Sequence, residues 1–410
     1  MRILFVTPTL PVPTSGGRTR LFNLIKHLSK RHDISVIAFL QPAEDELLPQ
    51  LRPHCNALEL VPFAGFTARG PWGNRLHGWK RILLESRPSY VTTFPVGDMR
   101  LPLRNLLAQQ PFDLVIFEQL FLVELVDELG HHPVMLVEQN VESEITNKSR
   151  QRSGNPAHKL RDWLVWRKLY RFEKRWVSRF PVVVAVSDSD AALLREMAPD
   201  AEIHVVPNGV DSQAFAPVGS VRAGSTLLFF GTLSYSPNQE GLIWFCQEVL
   251  PRVRNVIPEV ELRVVGLNPP PNIQDLGRLP GVNMIGFVSD ICSELWSATA
   301  SVVPLFVGGG TRLKILEALA AHCPIVSTTI GAEGLDLIPG HDFLIADDAQ
   351  SFAESVVRVL QDRTLRDQLA NNGYRSVIAR YDWRYIVGEM ELACMRAIEK
   401  QEPDPSNVIH

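Results

Sequence analysis

The stretch Ser301-Val302-Val303-Pro304-Leu305-Phe306-Val307-Gly308-Gly309-Gly310-Thr311-Arg312-Leu313-Lys314-Ile315-Leu316-Glu317-Ala318 reads as a strand, a glycine turn and a helix. Its opening apolar run lacks polar alternation, as in a strand buried on both faces of a parallel sheet. Three glycines directly before a helix let the backbone come close to a ligand, and Thr311 can cap the helix N-terminus. Arg312 and Lys314 then put two positive charges at the end where the helix dipole is already positive. Stability alone disfavours that arrangement. An anion seated on the free N–H groups, at Gly309 and Gly310 in particular, explains it economically. The competing explanation is a local pair between Lys314 and Glu317, three residues on, worth only about 0.3 kcal/mol.

The same unit recurs on either side. Short apolar runs, many rich in Val and Ile, fall at residues 3–6, 34–39, 114–117, 134–137, 182–186 and 203–206, then at 226–230, 262–265, 283–285, 301–303 and 324–327. Helical periodicity marks residues 18–29, 241–253, 313–321 and 349–360 between and after them. This is βα architecture, and it occurs twice. A single hydrophobic core stops growing at roughly 250–300 residues, so a chain of 410 also calls for two domains. Residues 207–224 carry Pro207, Gly209, Pro217, Gly219 and Gly224, which break both periodicities. The division is therefore 1–211 and 212–382, with a helix at 383–400 able to cross back to the first domain and a frayed tail at 401–410.

Hydrophobic content of 45% and charged content of 21% are those of a globular protein, and a net charge of −4 gives no global pull toward nucleic acid or anionic membrane. Cys55, Cys246, Cys292, Cys323 and Cys394 are odd in number and scattered, as expected of buried thiols in a reduced, cytoplasmic protein. Ile3-Leu4-Phe5-Val6 runs into Pro8, Pro11 and Pro13, which reads as a first strand rather than a signal peptide. No apolar stretch approaches the roughly 20 residues of a membrane span.

Parallel sheets bind ligands beyond the carboxyl ends of their strands. After the first strand, Thr14-Ser15-Gly16-Gly17-Arg18 forms a loop of that kind, either an anion cradle or an ordinary βα turn. It lacks the G-x-G-x-x-G spacing of a dinucleotide fingerprint. Glu138-Gln139-Asn140-Val141-Glu142 follows the strand at 134–137, and Gln139, Asn140 and Glu142 there sit where acceptor contacts or helix caps belong. Residues 148–179 hold Lys148, Arg150, Arg152, Lys159, Arg161, Arg167, Lys168, Arg171, Lys174, Arg175 and Arg179 against Asp162 and Glu173, with Trp163, Trp166, Tyr170 and Trp176 interleaved. That mixture suits an anionic membrane surface or a lipid-pyrophosphate acceptor, or else a long helix with a solvated basic face and inward aromatics. Nothing else in the chain supports nucleic acid.

Taken in order, the Gly-Gly loop, Val206-Pro207-Asn208-Gly209-Val210-Asp211, a strand ending in Gly231, Val265-Gly266, Gly286-Phe287-Val288, the glycine turn with Glu317-Ala318, and Pro324-Ile325-Val326-Ser327 resemble the family-4 retaining glycosyltransferases of the GT-B fold. The resemblance implies two Rossmann-like, doubly wound parallel-sheet domains facing a cleft, with donor held mainly by the second and acceptor by the first. It also implies a nucleotide-sugar co-substrate (a UDP- or GDP-sugar), a saccharide or lipid-linked acceptor, and no cofactor or metal. By position, Glu317 matches the ribose-binding second Glu of the family's Glu–seven residues–Glu motif. Phe287 and Val288 fall on the base-binding loop, Gly16 and Gly17 on the diphosphate-facing loop. Glu118 takes the position of a histidine or acid near the reacting carbon. Two departures stand out. Gly309 replaces the motif's first Glu, and the loop from Thr232 to Asn238 lacks the family's Arg and Lys. Arg312 and Lys314 are expected to supply those cations and to act in catalysis. A nucleotide-sugar 2-epimerase, or a catalytically silent nucleotide-sugar-binding protein, are the alternatives on the same fold.

Overall fold

A computed structural model describes residues 1–14, 16–42, 44–63, 87–88, 91–152, 156–217, 224–307 and 312–401. The chain separates into two compact units, one of Met1–Pro207 together with the chain from Val387 onward, the other of Asn208–Ile386.

The first unit is built on β1 (Arg2–Thr7), β2 (Asp33–Leu40), β3 (Ala57–Pro62), β4 (Leu114–Glu118), β5 (Val134–Glu138), β6 (Val182–Ala185) and β7 (Glu202–Val205). These make a seven-stranded sheet in the order β3-β2-β1-β4-β5-β6-β7, every pairing parallel. Helices α1 (Gly16–Leu28), α2 (Glu142–Arg152), α3 (Pro156–Val177) and α4 (Asp188–Met197) lie among its connections. Leu4, Val6, Phe39, Phe117 and Leu136 are wholly buried in its core, which explains the uninterrupted apolar runs.

The second unit contains β8 (Thr226–Phe230), β9 (Glu261–Val265), β10 (Val282–Gly286), β11 (Ala300–Val303), β12 (Ile325–Ser327) and β13 (Leu344–Ile345), a parallel sheet in the order β10-β9-β8-β11-β12-β13. Its helices include α5 (Ser236–Trp244), α6 (Leu313–Ala320), α7 (Ala349–Gln361) and α8 (Arg363–Arg380). Gly209 cannot be replaced freely, because a Cβ there would lie 2.6 Å from the ring of Trp383. The last helix, α9 (Trp383–Glu399), begins in this unit and ends in the first. There Arg396 meets Glu202 at 2.9 Å and Glu391 meets His32 at 2.8 Å.

Several expectations need correction. β3 and β13 were absent from the sequence reading. β3 carries Glu59 and ends in Pro62 at the sheet edge, and β13 is only two residues long, so neither shows a buried apolar run. The first helix begins at Gly16 rather than residue 18, so Gly16 and Gly17 belong to its opening turn and not to a loop. The basic stretch is two helices, α2 and α3, not one. Gln401, placed in a frayed tail, accepts a hydrogen bond from the Val134 amide at 2.5 Å. The unit boundary falls between Pro207 and Asn208, ahead of residue 211.

Candidate functional site

In the second unit, three neighbouring strand ends are lined by glycine. Gly231 follows β8, Gly266 follows β9 and Gly286 ends β10. Gly231 has φ of +145° and Gly286 +82°, values that favour glycine. A Cβ on Gly266 would sit 2.0 Å from the Gly231 carbonyl oxygen. A side chain has no room at Gly231 and Gly266, and all three glycines are half-buried.

Lys314, in the first turn of α6, reaches across to this edge. A Cβ on Gly231 would lie 3.0 Å from its Nζ and 3.1 Å from Nδ2 of Asn238. The ammonium donates to Oδ1 of Asn238 at 3.0 Å and stands 5.0 Å from the centre of the Phe229 ring. Asn238 in turn donates from Nδ2 to the carbonyl of Thr232 at 2.8 Å, which fixes its oxygen toward the lysine. Lys314 is therefore hydrogen-bonded to the first turn of α5 and makes no salt bridge to Glu317, although the two charges act on each other. Its positive charge stands beside the loop that lacks the family's own Arg and Lys. Burial drives the lysine pKa down to about 7, with the charge of Arg312 adding to the effect and Glu317 opposing it. Glu317 is pushed up to about 7 by burial, opposed by Lys314.

Arg312 occupies the N-cap position of α6, without a side-chain capping bond. Gly308, Gly309, Gly310 and Thr311 lie outside the described residues. Phe287, on the loop after β10, is 65% exposed, while Val288 packs against the unit's second core.

In the first unit, β4 and β5 end side by side in Glu118 and Glu138. Glu118 is buried, not the solvated carboxylate that opens a helix. One of its oxygens accepts from Nε2 of Gln139, and the other has no hydrogen-bond partner. Gln139 also donates to the Gly17 carbonyl at 3.3 Å. A Cβ on Gly17 would fall 2.2 Å from Oε1 of Gln139, so that glycine is required for the amide to lie there. Arg20 is wholly buried and donates to the carbonyls of Pro207 and Val206 at 2.6 and 2.7 Å. Burial raises Glu118 to about 7, offset in part by Gln139 and by the Arg20 charge. Gly17, Glu118 and Gln139, chosen separately from the sequence, are one hydrogen-bonded group. Asn140 and Glu142 are half-buried on the following turn, and Gly16 is exposed.

The sequence alone does not single out Arg20, Asn238 and Glu173 as site residues. A signal existed for two. Arg20 shares the buried stripe of α1 with Leu24 and Leu28, and Glu173 shares that of α3 with Leu169, Trp176 and Val177. A lone charge on an apolar stripe marks a buried polar contact. On α3, Trp176 is buried and Tyr170 packs on the core, while Trp163 and Trp166 are half-buried. Lys159, Arg161, Arg167, Arg171, Lys174 and Arg175 are exposed. No helix among the described residues is long and apolar enough to cross a membrane.

Comparison with known proteins matches residues 14–214 to Glycosyltransferase Family 4 and residues 224–362 to Glycosyl transferases group 1. A GDP-mannose:cellobiosyl-diphosphopolyprenol alpha-mannosyltransferase of Xanthomonas campestris is 25% identical over 217 residues, 50% of this chain and 56% of that one. The MMP alpha-(1->4)-mannosyltransferase of Mycolicibacterium hassiacum is 26% identical over 250 residues, 57% and 59% of the two chains. The chain spans about half the length of the curated relatives it matches, 42% for an uncharacterized 44.6 kDa protein of the Klebsiella pneumoniae cps region. Among solved structures, sucrose-phosphate synthase of Thermosynechococcus elongatus superposes with a TM-score of 0.73 at 17% identity, covering 98% of this chain and all (100%) of that one. Anabaena HepE, solved with UDP-glucose, gives 0.68 at 16% identity, covering 97% and 100%. Two parallel-sheet α/β units, one matched by each half of the family, make this GT-B chain a member of the group 1, family 4 glycosyltransferases.

Proposed function

We propose that the protein transfers a hexosyl group from a UDP- or GDP-sugar to a saccharide or lipid-linked acceptor, with retention of anomeric configuration, in bacterial polysaccharide or glycolipid synthesis on the cytoplasmic side of the membrane. The observation that carries this reading is the Lys314 ammonium held over glycine-lined strand ends by Asn238. Cleaving a sugar–phosphate bond develops negative charge on the departing nucleoside diphosphate, and a preorganised cation aimed there lowers the barrier. Lys314 and Arg312 take the place of the cations missing between Thr232 and Asn238, and Gly309, Gly310 and Thr311 also bind the donor. Glu317 binds the ribose, and Phe287 with Val288 flanks the base.

In the retaining reaction the leaving phosphate takes the acceptor proton from the face it departs, so no separate base is needed. Glu118 then orients the acceptor or opposes positive charge at the anomeric carbon. Its placement at a strand end, with one oxygen unbonded, supports that role. Gln139, Asn140 and Glu142 contact the acceptor.

A thermal-shift panel of UDP-, GDP- and ADP-sugars tests the donor, since a ligand that binds only the native state raises its apparent stability. Stabilisation by one nucleotide class, followed by transfer of its sugar to an added acceptor, is the expected result. Turnover of donor alone to an epimer would favour an isomerase, and no stabilisation by any would refute the donor site. The exposed basic face of α3, with half-buried Trp163 and Trp166, supports contact with an anionic membrane. Flotation with anionic liposomes at low salt is expected, and its absence would refute that contact.

A further inference from the structure

Glu173 is the one carboxylate on the buried stripe of α3, with none of its surface exposed (0%). It accepts from the backbone amide of Glu142 at 2.9 Å, from that of Ser143 at 3.3 Å, and from the Ser143 hydroxyl. Those amides open α2, so a side chain from a different helix caps it. The same turn begins with Gln139, whose amide is tied to Glu118 and Gly17. The segment from Gln139 to Ser143 is therefore clamped at both ends, by α1 and β4 on one side and by Glu173 on the other.

Nothing in the packing of α3 requires a carboxylate at this point. A Leu or Met on the same stripe would bury more apolar surface without desolvating a charge. Glu138 makes the choice more demanding. It ends β5 directly before the same turn, 1% exposed, with both oxygens lacking a hydrogen-bond partner, and Glu173, Glu142, Glu118 and Asp190 all act on it with like charge. Placing one more acid in that neighbourhood destabilises the unit unless its hydrogen bonds are needed. The retained hydrogen bonds are the ones that set the backbone of the acceptor turn.

We infer that Glu173 is a positioning residue for acceptor binding, holding the turn Gln139–Ser143 in register by capping α2 from α3. This inference rests on the transferase reading for its link to acceptor, but the clamp itself is testable without it. Glu173→Gln keeps the volume while leaving only one acceptor oxygen and an amide that faces the N–H groups. Ser143→Ala removes one of the three bonds and serves as the milder variant.

Hydrogen exchange on the full chain is the first measurement. Glu173→Gln is expected to speed exchange of the Glu142 and Ser143 amides about tenfold, the loss of one buried hydrogen bond, with Ser143→Ala smaller and residues 231–238 unchanged. Unchanged exchange at both amides in a folded variant would overturn the clamp. Steady-state kinetics follow, with an acceptor identified on the wild-type protein. Acceptor KM is expected to rise about tenfold with donor KM and the thermal shift by nucleoside diphosphate unaltered. An acceptor KM within about twofold of wild type, or an equal change in donor KM, would overturn the positioning role. Accelerated exchange with no transfer by the wild-type protein would refute the transferase reading and leave the clamp standing.

Discussion

Replacing Lys314 with Met tests the donor site at the cation that carries the assignment. Methionine is close to lysine in length, and its thioether can replace the ammonium against the Phe229 ring, so the losses are the charge and the bond to Asn238. At an effective dielectric of about 20, a unit charge about 4 Å from a phosphate oxygen contributes about 4 kcal/mol, and desolvation reduces the net to about 2–3 kcal/mol. With a pKa near 7, Lys314 is about half charged at neutrality, and waiting for the charged form costs affinity a further factor of about two. Nucleoside diphosphate should therefore bind the variant about 15- to 80-fold more weakly. The assay is titration calorimetry at about pH 7 in two buffers that differ in ionisation enthalpy. Half charged at that pH, the lysine gains protons when an anion arrives, so the wild-type protein should take up protons on binding and the variant fewer. Glu317, also near 7, contributes uptake that survives in the variant, so the difference between the two proteins is the quantity read. Affinity within about threefold of wild type, with unchanged proton uptake, would refute the assignment of Lys314 as the diphosphate cation.

Glu118→Gln should lower kcat about 100-fold if the carboxylate acts at the reacting centre, and should remove a rise in activity as pH passes through about 7, read from a pH–rate profile. The same substitution should stabilise the fold in alkali. With the folded pKa raised above the unfolded value, the native state holds the extra proton, so stability falls as pH rises from about 4.5 to about 7; Gln escapes that loss, up to about 3 kcal/mol by thermal denaturation at about pH 8. Gly17→Ala puts a Cβ into the space of Oε1 of Gln139, a flexible group that can swing away. The fold should survive with a loss of about 1 kcal/mol, while Gln139 leaves Glu118 and transfer falls about tenfold, measured by melting temperature and acceptor KM.

The repeated βα pattern was legible because strands buried on both faces must be apolar at every position, and Ile3, Leu4, Phe5 and Val6 are. β3 was not, because an edge strand tolerates Glu59 and Pro62. Lys314 and Glu317 were legible because charge at a helix start and glycines before it are local features. Asn238 was not: its importance lies in facing Lys314, 76 residues away, and no spacing in the chain records that.

The sequence by itself determined two α/β units, their parallel sheets, and the family whose motifs they carry, since periodicity and glycine placement act within a few residues. Tertiary structure alone decided which charges meet. Gly17, Glu118 and Gln139 come from three separate segments and become one group only because parallel strands bring their carboxyl ends to a single edge. Whether Lys314 pairs with Glu317 or crosses to Asn238 was likewise settled there. The local pair contributes about 0.3 kcal/mol, less than one well-made buried hydrogen bond to a charged group, so packing overrules it.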